Sequence, residues 1–409
     1  MAGNRRYLPL DSTRHLGRTM QRYYFFSRYH GLWGRPWHRP LAWITSGAPV
    51  EIVRAMGIDP VYPENFGAIC GTRRVTSELC RVAEQAGYSQ DLCSYARADI
   101  GALLRPDLAP MGGLPKPDLL VACNNICGTV LKWYEALARR LNVPLFMIDT
   151  PFVAGELEEH AVAYVSAQLQ DLIRQLETFT RRRFKPGQLQ KHIDLSNEAV
   201  KLWCEIREMC RTRPSPLNTP DLFVHMAPIV VLRGTPAAVT HYRRLRSEVR
   251  ERVHSGQGAV PGERYRLLWD NIAIWHQLFR FYRLFSDRGA CFVTDTYSGG
   301  WSVQPAPGEA MESLARTYTA VFLNRSVAFR TRQMVNLIRD FHLDGFVMHS
   351  NRSCKPYSLV QEEIRHRVID ETGVPGLVVE ADMADARIYA EEQVQTRVQA
   401  FLEALETRI

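Results

Sequence analysis

The stretch "DLLVACNNICGTVLKWYEAL", Asp118 to Leu137, changes periodicity half-way along. Asp118 to Cys123 is a short apolar run, long enough for a buried strand. From Gly128 onward the apolar residues Val130, Leu131, Tyr134, Leu137 and Ala138 recur at spacings of three and four, the period of an amphipathic helix. The residues between, Cys123 to Cys127, read as a strand-to-helix loop. In open α/β sheets such loops lie at the carboxyl ends of strands, where ligands bind. Two thiols in that place call for a chemical reason.

The same alternation extends outward. "LAWITS" reads as a strand, "APVEIVRAMG" as a helix stopped by Gly57, "DPVYPEN" as the next strand and loop, and "RRVTSELCRVAEQAG" as an amphipathic helix closed by Gly87. "KPDLLVAC", the Trp133 helix and "VPLFMID" complete a strand–helix–strand crossover, which builds parallel sheets. Residues 155–215 read as a helical hairpin without strand signal. After the Gly/Pro-rich loop 255–262, "GACFVTDT", "DGFVMHS" and "GVPGLVVEAD" repeat the α/β logic. The expected fold is α/β: two Rossmann-like parallel-sheet lobes joined by a helical segment, with an N-terminal helical arm. The expected divisions are the arm at 1–40, the first lobe at 41–154, the helical linking region at 155–262, and the second lobe with its C-terminal helix at 263–409. A coarse echo joins the lobes, "VACNNIC" in one and "VMHSNRSC" in the other.

With 409 residues the chain is long enough for two or three domains. No apolar run reaches the roughly 18 residues of a membrane span, and arginines interrupt any signal-like segment. A cytoplasmic protein without membrane contact is expected. The formal charge of +8 is concentrated: residues 1–50 hold eight arginines and one acid, 8 − 1 = +7. Interleaved with them are Tyr23, Tyr24, Phe25, Phe26, Tyr29, Trp33 and Trp37. Such a mixture can bind single-stranded nucleic acid, but nothing else resembles a nucleic-acid module. The arm is expected to pack on its own chain or on a partner subunit.

Of nine cysteines, Cys80, Cys204, Cys210 and Cys291 lie in apolar or helical patterns and read as small buried hydrophobes. Cys70, Cys93, Cys123, Cys127 and Cys354 stand beside Gly, Asn or Ser in turn-like contexts. Cys127 and Cys354 fall at helix N-termini after strands, where free N–H groups favour a thiolate. No Cys-x-x-Cys pair of the kind structural zinc uses occurs. A [4Fe–4S] cluster tolerates scattered ligands and needs close backbone approach. Spacing alone leaves a cluster, zinc and inert thiols all open. His349, at a strand end near Cys354, reads first as a structural hydrogen-bonder. No Gly-rich phosphate loop is present, so ATP binding by this chain is not expected.

The segments "PVYPENFGAICGTRR", "VAEQAGYSQDLCSYARADIG", "PKPDLLVACNNICGTVLKWYEALA", "RPSPLNTPD", "LRGTPAAVTHYRRLRSEV", "ERYRLLWDNIAIW", "DGFVMHSNRSCKPYSLVQEEI" and "VPGLVVEADMAD" together resemble the 2-hydroxyacyl-CoA dehydratase / benzoyl-CoA reductase family. More narrowly they resemble the B-type cluster-binding subunit of ATP-dependent benzoyl-CoA reductase. The similarity runs from about Leu41 to the C-terminus and leaves the arm uncovered. The resemblance implies a [4Fe–4S] cluster on Cys93, Cys127 and Cys354, with Cys123 an auxiliary thiol and Cys70 near the cluster without binding it. It also implies an acyl-CoA substrate (benzoyl-CoA or an analogue), a paralogous cluster-binding subunit, ATP-hydrolysing activator subunits, and ferredoxin as upstream donor. The activity it implies first is reduction of the aromatic ring of benzoyl-CoA to a dienoyl-CoA. A radical 2-hydroxyacyl-CoA dehydratase subunit is the alternative, and an electron-transfer cluster protein without acyl-CoA substrate is the third. No catalytic side chain follows from either the residues or the resemblance.

Overall fold

The computed structural model of the chain describes residues 10–29, 39–303 and 308–407. Its framework is two four-stranded, wholly parallel sheets. The first comprises β1 (Leu41–Ile44), β2 (Asp59–Val61), β3 (Leu119–Cys123) and β4 (Leu145–Ile148) in the order β2-β1-β3-β4. The second comprises β5 (Tyr265–Asp270), β6 (Ala290–Asp295), β7 (Gly345–Asn351) and β8 (Gly376–Ala381) in the order β6-β5-β7-β8. The two orders are the same permutation, so each sheet reverses its winding between its first and third strands. Ligands of open α/β sheets bind at the carboxyl ends flanking that reversal. The loops that follow β3 and β7 carry Cys127 and Cys354, which explains the echo between "VACNNIC" and "VMHSNRSC".

The inner strands are apolar runs because helices cover both faces. Every residue of the inner strands β1, β3 and β5 is buried, as is every residue of the edge strand β6, whereas the edge strands β4 and β8 are largely half-buried. The helix Thr129–Leu141 buries Val130, Trp133, Tyr134 and Leu137 and ends on Asn142 in the left-handed conformation. Its buried stripe is turned slightly from the one the sequence suggests, with Trp133 inside and Leu131 half-buried. The turn is set by Trp133, whose indole N–H donates to buried Asp99 at 3.1 Å. The region expected as a helical hairpin contains two consecutive long helices, Glu159–Thr180 and Pro186–Met209, of which the first packs on the helix Ala310–Thr319 and the second on Pro236–His254.

One strand escapes the pattern reading. The second α/β unit opens not with "GACFVTDT" but with β5, an inner strand that precedes it and whose six residues are all buried. Arg266 and Asp270 break its apolar pattern. Arg266 is buried because it serves as a tie: it donates to the carbonyls of Phe341, Thr212 and Cys210 at 3.0, 3.0 and 2.8 Å, and to the Glu263 carboxylate at 2.7 Å.

The arm's described part, the helix Asp11–Tyr29, lies on its own chain. Ser12 is bonded through both N–H and hydroxyl to Glu248, Thr13 meets His225 at 3.0 Å, and Tyr23 donates to the Pro60 carbonyl at 2.8 Å. Tyr24, one of the aromatics interleaved with the arm's arginines, is buried against Asn65. Arg14, Arg18 and Arg22 face outward. The side chains of Phe25, Phe26 and Tyr29, and all of Trp33 and Trp37, fall outside the described residues. Among the described residues no helix is long and apolar enough to cross a membrane.

Replacing Arg266 by Ala would leave Glu263 buried without its cation and several acceptors without their donor. Breaking a buried pair on one side costs about 3–5 kcal/mol. The Arg266→Ala chain is therefore expected to unfold at a clearly lower urea concentration, with Arg266→Lys recovering only part of the loss because a single ammonium cannot span the same acceptors.

Candidate active site

The three thiols implied by the resemblance come from three separate loops. Cys93 caps the helix Ser94–Leu104, Cys127 stands two residues before the helix Thr129–Leu141, and Cys354 caps the short helix Lys355–Ser358. They meet in one place. Cys93 senses the charge of Cys127, and Cys354 senses the charges of both. The meeting is enforced next door: Ser94 N–H donates to the Ser353 hydroxyl at 3.1 Å, 259 positions away, and Ser353 donates to Asp382 at 2.5 Å. Tyr95, two residues from Cys93, accepts from the indole of Trp275. Arg97 extends the seam to Asp385 at 3.3 Å and to Glu84 at 2.6 Å.

Each thiol also receives backbone donors. Thr129 N–H points at the Cys127 sulfur at 3.3 Å, Tyr95 and Ala96 N–H at that of Cys93, and Tyr357 N–H at that of Cys354. All three thiols are half-buried, whereas Cys70, Cys80, Cys123, Cys210 and Cys291 are fully buried. A helix N-terminus by itself would lower a thiol pKa. Burial overrides that here: the Cys93 thiol is pushed up to about 12, and Cys354 rises further, raised first by burial and then by its two thiol neighbours. Half-open thiols with N–H donors in an apolar setting form a donor set that suits an iron–sulfur cluster. Their present arrangement is not yet a ligand cage, since among the described residues no three His, Cys, Asp or Glu side chains are grouped to hold a metal ion.

Cys123 stands apart. It is the last residue of β3 rather than a loop residue, its side chain is wholly buried in the core on the other face of the sheet, and the charge it senses most is that of Asp149. Cys70 is likewise sealed in a small core with Phe66 and Leu79. His349 lies within β7, its Nδ1–H donating to the Ile272 carbonyl at 2.7 Å, and burial lowers its pKa to about 4. That is the structural role the sequence suggests.

An apolar crevice opens beside the thiols. Ile126 and Tyr357, neighbours of Cys127 and Cys354, line one part of it, and Glu64 and Asn65 line another. Ser46, Tyr297 and Trp301 belong to both parts. Tyr297 senses Glu64 and Cys354 alike, which places it between them. Backbone geometry opens the floor: a Cβ on Gly47 would fall 2.1 Å from Asn125 Oδ1, so only glycine fits the loop after β1. Asn125 in turn clamps that loop through Gly47 O at 2.9 Å and reaches Tyr318 O at 2.7 Å.

Glu64 is the side chain that sequence reasoning missed. It follows β2 in the first turn of the helix Pro63–Thr72 and accepts both the N–H and the hydroxyl of Ser46 at 2.5 and 2.6 Å. Those bonds and the helix N-terminus favour the carboxylate, but burial dominates and raises its pKa to about 7. The available signal was "YPEN": an acid directly after a strand, at the carboxyl edge of a parallel sheet.

Against this geometry the comparisons with known proteins become informative. Residues 45–405 match the model of the family described as 2-hydroxyglutaryl-CoA dehydratase, D-component. The chain belongs to that family. It is 34% identical over 373 residues to the (R)-2-hydroxyisocaproyl-CoA dehydratase alpha subunit of Clostridioides difficile, covering 90% of this chain and 91% of the relative. It is 33% identical over 385 residues to the lactoyl-CoA dehydratase subunit alpha of Anaerotignum propionicum, with the same coverage. A benzoyl-CoA reductase subunit of Thauera aromatica is more distant, at 27% over 374 residues, covering 88% and 87% of the two chains. The family resemblance read from the sequence holds, while its narrower preference for the reductase gives way to the dehydratases. Both kinds of relative make this chain an enzyme subunit.

A carboxyl with a folded pKa near 7 and an ordinary value of 4.5 binds more protons folded than unfolded between those limits, so its contribution to stability falls as pH rises through them. Glu64→Gln keeps an acceptor for Ser46 without the charge. Relative to wild type the variant is expected to gain stability from pH 5 to pH 8, on the order of 2 kcal/mol, with no further gain above pH 8. Urea midpoints at the two pH values measure it; a pH-independent difference would mean that Glu64 titrates as a free carboxyl.

Proposed function

We propose that this chain is a catalytic subunit of a radical 2-hydroxyacyl-CoA dehydratase, holding a [4Fe–4S] cluster on Cys93, Cys127 and Cys354. The observation that carries the reading is the adjoining crevice: Ile126 and Tyr357, from the loops that carry the half-open thiols Cys127 and Cys354, line one part of it, and Glu64, a carboxyl poised near neutrality, lines the part that shares Ser46, Tyr297 and Trp301 with the first. The family and its dehydratase relatives support it. When bound, the cluster would supply single electrons at low potential to an acyl thioester, the difficult chemistry being the cofactor's. The electrons would come from ferredoxin through a separate ATP-hydrolysing activator, and a paralogous subunit would complete the assembly.

What this chain's residues contribute is proton management and an apolar setting. Net dehydration removes a hydroxyl from one carbon and a proton from its neighbour. Protonated Glu64 can give its proton to the departing hydroxyl, and the resulting carboxylate can accept the proton from the neighbouring carbon. One carboxyl thereby closes the proton balance, and a pKa near the working pH suits both directions. Ser46 fixes the carboxyl through its N–H and hydroxyl. Tyr297 and Trp301 line both parts of the crevice and give the space beside Glu64 aromatic walls.

A second reading, ring reduction of benzoyl-CoA, is supported by the reductase relative and by the aromatic lining of the crevice. Anaerobic co-expression with partner and activator subunits separates the two. Turnover of a 2-hydroxyacyl-CoA to an enoyl-CoA is expected, and ring reduction of benzoyl-CoA without dehydration would reverse the assignment. Iron content tests the ligands independently. Cys127→Ser and Cys354→Ser should lose iron and the brown absorbance of anaerobically purified protein, while Cys204→Ser keeps both; equal iron in all three removes the cluster from these residues.

A further inference from the structure

Resting on the dehydratase reading, we infer that the acyl chain taken by this subunit is uncharged, an aryl or branched aliphatic 2-hydroxyacyl group, and that dicarboxylate chains are rejected. The part of the crevice next to the Cys127 and Cys354 loops is walled by Ile126, Tyr297, Trp301, Phe322, Leu323 and Tyr357. Four of these six are aromatic, and they offer flat faces to a ring or a branched chain. Arg233 is the one charged residue among the described lining residues of this part. In an otherwise apolar pocket, a lone guanidinium would ordinarily announce a carboxylate ligand.

Its charge is already spent. Arg233 Nε donates to Glu51 Oε1 at 2.8 Å, with Arg233 8% and Glu51 1% exposed. Burial opposes ionisation of Glu51, but the Arg233 charge and the hydroxyls of Ser196 at 2.7 Å and Tyr318 at 2.6 Å outweigh it, leaving its pKa below the ordinary value. The pair is therefore ionised on both sides and neutral in sum. A substrate carboxylate brought to Arg233 would put two buried anions on one cation. Glu64, in the adjoining part of the crevice, would add a third acidic group to the same space. The uncompensated charge makes such a complex weak, whereas an uncharged chain meets only apolar and aromatic surface.

Binding without turnover tests this. The chain, co-purified anaerobically with its paralogous subunit and without activator or ATP, is titrated calorimetrically with phenyllactyl-CoA, 2-hydroxyisocaproyl-CoA, 2-hydroxyglutaryl-CoA and free CoA. The first two are expected to bind within about tenfold of each other, and the glutaryl ester roughly a hundredfold or more weaker. Trp301→Ala, at a half-buried position, should weaken the aryl ester several-fold without changing free CoA. Glutaryl-ester affinity equal to or above that of the aryl ester, and lost in Arg233→Gln, overturns the inference while leaving the dehydratase reading in place. Failure of every CoA ester to bind overturns both.

Discussion

The hydrogen bond from the Ser94 N–H to the Ser353 hydroxyl spans 259 positions of sequence and joins the two halves of the molecule where the chemistry is expected. With the Tyr95–Trp275 and Arg97–Asp385 contacts it ties the Cys93 helix to the half that carries the Cys354 loop. Ser353 is itself held by Asp382, whose other oxygen takes the N–H groups of Ala384 and Asp385. Asp385 in turn binds Arg97, one helical turn beyond Cys93. This closed circuit fixes the positions of two thiols by bonds to their immediate neighbours, and the sulfurs themselves are met by backbone N–H groups.

Buried acids are handled in two ways. Three buried carboxylates of the scaffold each have an arginine beside them: Arg233 with Glu51, Arg207 with Asp295, Arg266 with Glu263. Each pair carries further hydrogen bonds, as a buried ion pair must if desolvation is not to win. At the site, N–H and hydroxyl donors stand in place of the arginine, on Glu64 from Ser46 and on the half-open thiols from the helix N-termini. Burial therefore governs the proton affinity of Glu64, Cys93 and Cys354 and pushes all three upward. Groups raised in this way hold protons at neutral pH and give them up when a cation or a reacting partner arrives.

The crevice that results is shaped by both lobes. Gly47 and Ile126 come from loops of the first sheet, Tyr297 and Tyr357 from loops of the second, and Tyr318 from the helix Ala310–Thr319 between β6 and β7. Ile126 and Tyr357 follow β3 and β7, which hold the same place in the two strand orders. One part of the crevice thus has walls from the loops that carry Cys127 and Cys354, and the other has Glu64 in its wall.

Much of this was legible in the residues. The switch of period in Asp118–Leu137, the glycine stops at Gly57 and Gly87, and the paired "VACNNIC" and "VMHSNRSC" segments are local signals, and local propensity and burial period wrote the two parallel lobes into them. The resemblance, again a matter of sequence, named Cys93, Cys127 and Cys354. Three things were decided only in three dimensions. β5 was hidden because Arg266 interrupts its apolar run, and its burial makes sense only once carbonyls from distant segments surround it. Cys123 read as a loop thiol, and the pleat of β3 turned it into the opposite core. Nothing in the sequence pattern set Glu64 apart. Its proton affinity depends on which apolar side chains close over it, and those arrive from residues more than 150 positions away, such as Phe223, Trp275 and Tyr297. Spacing along a chain carries the period of an element, but the solvation of a charge is a property of the neighbours that folding brings.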